Sequence, residues 1–90
     1  MNYHYPIDPD WTTEEVMDVV QFFNTIEQAY EDHVVKEQIL DHYKKFKQVI
    51  PAKSDEKSMF KDFEKQSGYI PYQVVKRAQE ADINAKVSMK

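Results

Sequence analysis

Hydrophobic positions recur at helical spacing along most of this chain, and the widest stripe lies between Trp11 and Tyr30. At about 100° per residue, Val16, Val19, Val20, Phe22, Phe23, Ile26, Ala29 and Tyr30 fall within an arc of about 180°. Asp18, Gln21, Thr25 and Gln28 fall opposite, and Glu27 is the one charge inside the arc. An arc that wide must be covered by more than one neighbour, so this amphipathic helix is expected to be central. Its start is marked twice. Thr12 and Glu15 have the spacing of a capping box, and Trp11 precedes the cap where it can staple onto Val16.

The pattern loses phase at residues 31–34, and a second stripe follows: Val35, Ile39, Tyr43, Phe46, Val49 and Ile50, with Leu40 at its margin. One continuous helix to Ile50 would run to about 57 Å, too long for a compact domain of this size, so a tight turn is predicted at 31–34. Pro51 blocks continuation. Ser54 reads as the N-cap of a third helix, with Asp55 and Glu56 in its positive first turn and a narrow stripe of Met59, Phe60 and Phe63. Gly68, the sole glycine, suits a left-handed C-cap, and Pro71 suits the first turn of a fourth helix with Val74, Val75, Ala78 and Ala81 inward. The expected fold is all-α: a small bundle of three long helices and one shorter, near 13–31, 35–50, 55–67 and 71–82. The stripe fades from Ile83, and 83–90 is expected to be a frayed tail.

The first residues read differently. Pro6 and Pro9 bias the residues before them towards extended backbone, so 1–11 is expected to form a strap, with Tyr3, Tyr5 and Ile7 turned to one side and buried across the bundle. Ninety residues, with one glycine and four prolines, make a single domain with few tight turns and argue against an all-β fold. There is no cysteine, no basic and apolar leader and no uninterrupted apolar run of about 18 residues. A cytoplasmic location and stability from packing alone are therefore expected.

The pattern Asn2, Tyr3, Tyr5, Pro6, Ile7, Asp8, Trp11, with Tyr43, Phe46, Lys47, Pro51, Lys53, Glu56, Lys57, Phe63, Ser67, Gly68, Tyr69 and Tyr72 further on, resembles the uncharacterised protein family 0223 of low-GC Gram-positive bacteria. The resemblance runs from Asn2 to about Ala78. It implies a small all-helical cytosolic protein of unknown function, and it brings no catalytic or ligand-binding residues with it.

Charge is divided unevenly. Residues 1–43 hold ten acids and one base, Lys36, for −9; residues 44–90 hold six acids and eleven bases, for +5; together they give −4. A basic cluster of Lys44, Lys45, Lys47, Lys53, Lys57 and Lys61 straddles Pro51. Lysines at a helix C-terminus complement its dipole, so this cluster is expected mainly to neutralise helix ends and acids of the N-terminal half.

Candidate chemistry is sparse. His4, Asp8 and Asp10, or Glu37, Asp41 and His42, match no metal-ligand spacing, and His42 sits about 100° round from the other two on its helix. No cysteine nucleophile, G-x-S-x-G elbow or glycine-rich phosphate loop is present, and Glu14 with Glu15 is explained by the helix dipole. Neither catalysis nor a metal or cofactor is expected. The remaining distinctive stretch is the corner from Ser67 to Tyr72, where Tyr69, Ile70 and Tyr72 are candidates to meet a protein partner. The alternative arrangement there packs Tyr69 beneath the strap and leaves Tyr72 alone visible. The sequence points first to a non-catalytic protein-interaction or regulatory module. An accessory nucleic-acid-binding protein using the basic 44–61 cluster ranks second, because the chain is acidic overall and has one arginine, Arg77.

Overall fold

The structure, a computed structural model, describes residues 7–90. Four helices follow one another: α1 (Thr13–Glu31), α2 (Lys36–Val49), α3 (Lys53–Ser67) and α4 (Pro71–Glu80). The expected all-α bundle of three longer helices and one shorter is present. Thr12 Oγ1 accepts from the Glu15 N–H at 3.1 Å while the Thr12 N–H donates to Glu15 Oε1 at 2.9 Å, which completes the capping box.

The core is organised by aromatic rings. All five phenylalanines are buried: Phe22 and Phe23 from α1, Phe46 from α2, and Phe60 and Phe63 from α3. Phe22 stacks on Phe46 with centroids 4.7 Å apart, and Phe23 lies 4.6 Å from Phe63. Such offset and edge contacts add to the stabilisation from area burial alone. Val19, Ile26 and Ala29 of α1, Ile39 of α2, and Val74, Val75 and Ala78 of α4 complete the core. α1 packs most extensively on α2, and α4 covers both. Thr25, placed on the polar side of α1 by the helical wheel, is buried instead; its hydroxyl donates to the Gln21 carbonyl at 2.8 Å, so burial leaves no unpaired donor.

The turn at 31–34 exists, and it does more than reverse the chain. Val34–Val35 forms a two-residue strand, β1, paired antiparallel with β2 (Lys86–Val87) in the register Val34↔Val87 and Val35↔Lys86. Val34 is buried and Val35 half-exposed, the reverse of the helical stripe, because period-2 backbone replaces helix there. The C-terminal segment, expected to be a frayed tail, is therefore part of the fold. Val87 is buried in the core, the Met89 N–H donates to the Ala29 carbonyl at 2.8 Å, and Ser88 Oγ donates to the Asp32 carbonyl at 2.8 Å. Arg77 Nη1 holds the same segment through the Ser88 carbonyl, and Lys36 Nζ donates to the Ala81 carbonyl beyond α4. Asn84, in the left-handed region at φ 65°, offers its N–H to both oxygens of Glu37 at 3.2 Å.

One further expectation is corrected, and another can be followed only at its end. The N-cap of α3 is Ala52, without a side-chain cap, so Ser54 lies inside the helix. Of the strap, residues 1–6, with Tyr3 and Tyr5, lie outside the described residues. Ile7 is half-exposed, and the chain then turns, with the Trp11 N–H donating to the Asp8 carbonyl and the Asp10 N–H to Asp8 Oδ1. Trp11 is half-buried against the core. Among the described residues, no helix is long and apolar enough to cross a membrane.

Two substitutions test this architecture by urea unfolding. Phe23→Ala should cost about 3 to 5 kcal/mol, since its ring bridges α1 and α3. Val87→Asp places a carboxylate against the same core and should lower the midpoint strongly. A wild-type midpoint for Val87→Asp would mean that the tail is not held there in solution.

Candidate functional site

α3 turns one face towards a groove of about 600 Å³ between itself and the start of α4. Lys53, Glu56, Lys57, Phe60, Lys61 and Glu64 line it from α3, spaced as one face of a helix, with Tyr43 of α2 at one end and Ile70, Pro71 and Tyr72 forming the opposite wall. A smaller hollow of about 380 Å³ lies between Asp8, Trp11, the end of α2 and α3, and it lacks basic residues.

Beneath the groove is a buried polar group. Glu56 is only 8% exposed. Its Oε2 accepts from the Tyr43 hydroxyl at 2.6 Å and its Oε1 from Lys47 Nζ at 2.8 Å, and Lys47 also reaches the Pro51 carbonyl. Partial burial, then the hydrogen bond to Glu56 and the charge of that carboxylate, push the Tyr43 phenol far above its ordinary value. The sequence placed Glu56 in the dipole field of a first turn; the structure makes it the acceptor at the centre of a three-residue network.

The opposite wall is held rigidly. Gly68, at φ 79°, caps α3 through its N–H to the Glu64 carbonyl at 2.7 Å, as its position after the third stripe predicts. Ser67 Oγ donates to the Phe63 carbonyl and accepts from the Tyr69 N–H. The Tyr69 ring then stacks on Tyr30 at 4.5 Å, nearly parallel, and its hydroxyl donates to Glu31 Oε2 at 3.2 Å. Desolvation first, and Glu31 second, hold the Tyr69 phenol above its ordinary value. The Tyr30 hydroxyl accepts from the Ile70 N–H at 3.1 Å. Tyr69 is thus a half-buried anchor on the end of α1, whereas Ile70 faces the groove and Tyr72 stands 62% exposed at its mouth.

The basic cluster divides. Lys53, Lys57 and Lys61 line the groove beside Ile70 and Tyr72, which brings half of one candidate set next to two members of the other. Lys45 pairs with Asp41 at 3.6 Å and Lys47 with Glu56, while exposed Lys44 does not line the groove. Among ion pairs of the described residues, only Lys45 with Asp41 joins this cluster to the acidic N-terminal half. Glu37, Asp41 and His42 do not converge: Glu37 serves the Asn84 N–H, Asp41 pairs with Lys45, and His42 Nδ1 is buried without a hydrogen-bond partner among the described residues. No group of three His, Cys, Asp or Glu side chains suited to a metal ion occurs among the described residues.

With this geometry in view, the comparisons with known proteins are decisive about lineage. The model of the uncharacterised protein family UPF0223 matches residues 2–87. The chain belongs to this family. It is 48% identical to the UPF0223 protein of Bacillus pumilus over 89 residues, covering 99% of this chain and 100% of that relative. It is 47% identical to the UPF0223 protein YktA of Bacillus subtilis with the same coverage, and 52% identical to an Oceanobacillus iheyensis relative over 91% of this chain and 93% of that one. The resemblance seen in the sequence motifs is confirmed, and these names carry no function.

The network under the groove makes a pH-dependent prediction. The folded protein holds the Tyr43 proton more tightly than the unfolded chain, so stability from this group is complete below about pH 10 and falls as pH rises past it. Tyr43→Phe should cost about 2 kcal/mol at neutral pH, because Glu56 loses one of two donors, and should flatten the decline above pH 10. Urea midpoints of both proteins between neutral and alkaline pH measure this; parallel declines would show that Tyr43 is not the group responsible. At the corner, Gly68→Ala should cost about 1 kcal/mol from backbone strain, because an added Cβ there meets no atom within 4 Å.

Proposed function

We propose that this UPF0223 protein is a small, cytoplasmic, non-catalytic interaction or regulatory module whose docking surface is the groove between α3 and α4. The observation that carries the reading is Tyr72: a large ring 62% exposed on a corner whose neighbours are tied to α1 and α3. A tyrosine on such a support loses little freedom on binding and offers both a ring and a hydroxyl. The groove also supports a role without catalysis. Its most buried polar groups satisfy one another, with the Glu56 carboxylate taken by Tyr43 and Lys47 and the Tyr43 phenol pushed away from neutral pH. Nucleic-acid binding is less well supported, since Lys45 and Lys47 are engaged with Asp41 and Glu56 and the remaining row is short.

Placing a photo-crosslinking benzoylphenylalanine at position 72 in a Bacillus host tests the proposal. Discrete, protease-sensitive adducts are expected from position 72 and not from the exposed control position Gln79. Equal adducts at both positions, none at 72, or adducts removed only by nuclease would count against it.

A further inference from the structure

We propose that the groove between α3 and α4 takes a short acidic peptide segment carrying one apolar side chain. The inference rests on the groove being a docking surface and adds the chemistry of what docks.

Lys53, Lys57 and Lys61 are exposed at i, i+4 and i+8 along one wall, a row of about 12 Å at the helical rise. Like charges at that spacing destabilise a helix, so the row has no helix-stabilising explanation of its own. None of the three is ion-paired among the described residues. The acid nearest in sequence on that face, Glu56, is withdrawn into the core with its two oxygens occupied by Tyr43 and Lys47. The row is thus three cations facing one exposed carboxylate, Glu64 at its far end, above a floor that includes the Phe60 ring and Pro71. The first turn of α4, whose N-cap Ile70 makes no side-chain cap, adds potential of the same sign on the opposite wall.

A segment with carboxylates flanking an apolar side chain complements both parts, its charges along the lysines and its apolar group beside Tyr72. A polynucleotide fits less well. Glu64 closes the row at its far end, and the chain's net charge of −4 repels a long polyanion while a short segment meets mainly the local field.

Amide spectra of the isotope-labelled full chain, titrated with defined nine-residue peptide pools, test this. One pool has a central Leu or Phe flanked by Asp and Glu; matched pools carry Asn and Gln, or Lys, instead. The acidic pool is expected to shift amides at Lys57, Lys61, Ile70 and Tyr72. Binding should weaken roughly tenfold or more in Lys57→Glu/Lys61→Glu, and several-fold in the milder Lys57→Gln/Lys61→Gln or in wild type between about 50 and 300 mM salt. These lysines are exposed, and the variants' own spectra report whether they fold. Equal or stronger groove shifts from the amide or Lys pool would overturn the acidic class while leaving the docking surface intact. Shifts confined to other faces, or none at millimolar peptide, would overturn the inference, with the crosslink at position 72 judging the docking surface separately. A single-stranded RNA of about 12 nucleotides that shifts the same amides at lower concentration than the acidic pool would also overturn it.

Discussion

Phe22 and Phe23 are adjacent on α1 and project about 100° apart, so burying both rings demands partners on two sides of one helix. α2 supplies Phe46 against Phe22, and α3 supplies Phe63 against Phe23, with Phe60 within ring contact of both. This requirement fixes the rotation of α3 about its own axis. Residues 56, 60 and 63 share a face at i, i+4 and i+7, so turning Phe60 and Phe63 into the core carries Glu56 inward with them. A buried carboxylate without partners would be very costly, and the Tyr43 hydroxyl and Lys47 ammonium offset that cost.

Much of this was legible from periodicity. The capping box at Thr12, the left-handed Gly68, Pro71 opening α4 and the inward positions of α1 all follow from local rules that tertiary packing did not override. Glu56 satisfies two rules at once: it is an acid in the first turn of α3, as its place in the sequence predicts, and it occupies a position on the apolar stripe. The dipole explains the residue type adequately, so nothing in the sequence flagged the second role. The groove was hidden for a related reason. Its two walls come from segments that look like separate features, a basic cluster and an aromatic corner, and only the packing angle of α3 on α4 sets them side by side.

The C-terminal segment failed for a different reason, a change of period. Ala85, Val87 and Met89 alternate with Lys86 and Ser88, a period of two that a search for helical stripes reads as fading amphipathicity. In the structure that alternation turns Val87 into the core beside Val34, while the intervening backbone groups serve the end of α1. The last turn of a helix leaves carbonyls without intrahelical partners. Here the Ala29 carbonyl is answered from 60 residues away by the Met89 N–H, and no basic side chain occupies that last turn. The tail thus takes a part that a local cap or a lysine often takes, and α1 depends on the far end of the chain for its own termination.

The division of charge takes on a physical meaning from the same packing. Had the acidic and basic halves neutralised each other by direct contact, the lysines of α3 would face acids of α1 and α2. Instead Lys36, the base of the acidic half, goes to the Ala81 carbonyl, Arg77 goes to the Ser88 carbonyl, and Lys47 is spent within its own half on Glu56. Lys36 and Lys47 are drawn to part-buried acceptors, and such groups exert a stronger claim than a solvated carboxylate because an unmade buried hydrogen bond costs more than a screened surface pair returns. On α3 this leaves Lys53, Lys57 and Lys61 exposed along the groove, beside the Phe60 ring. The local sign of the groove follows from where the core needed its donors, even though the chain as a whole is acidic.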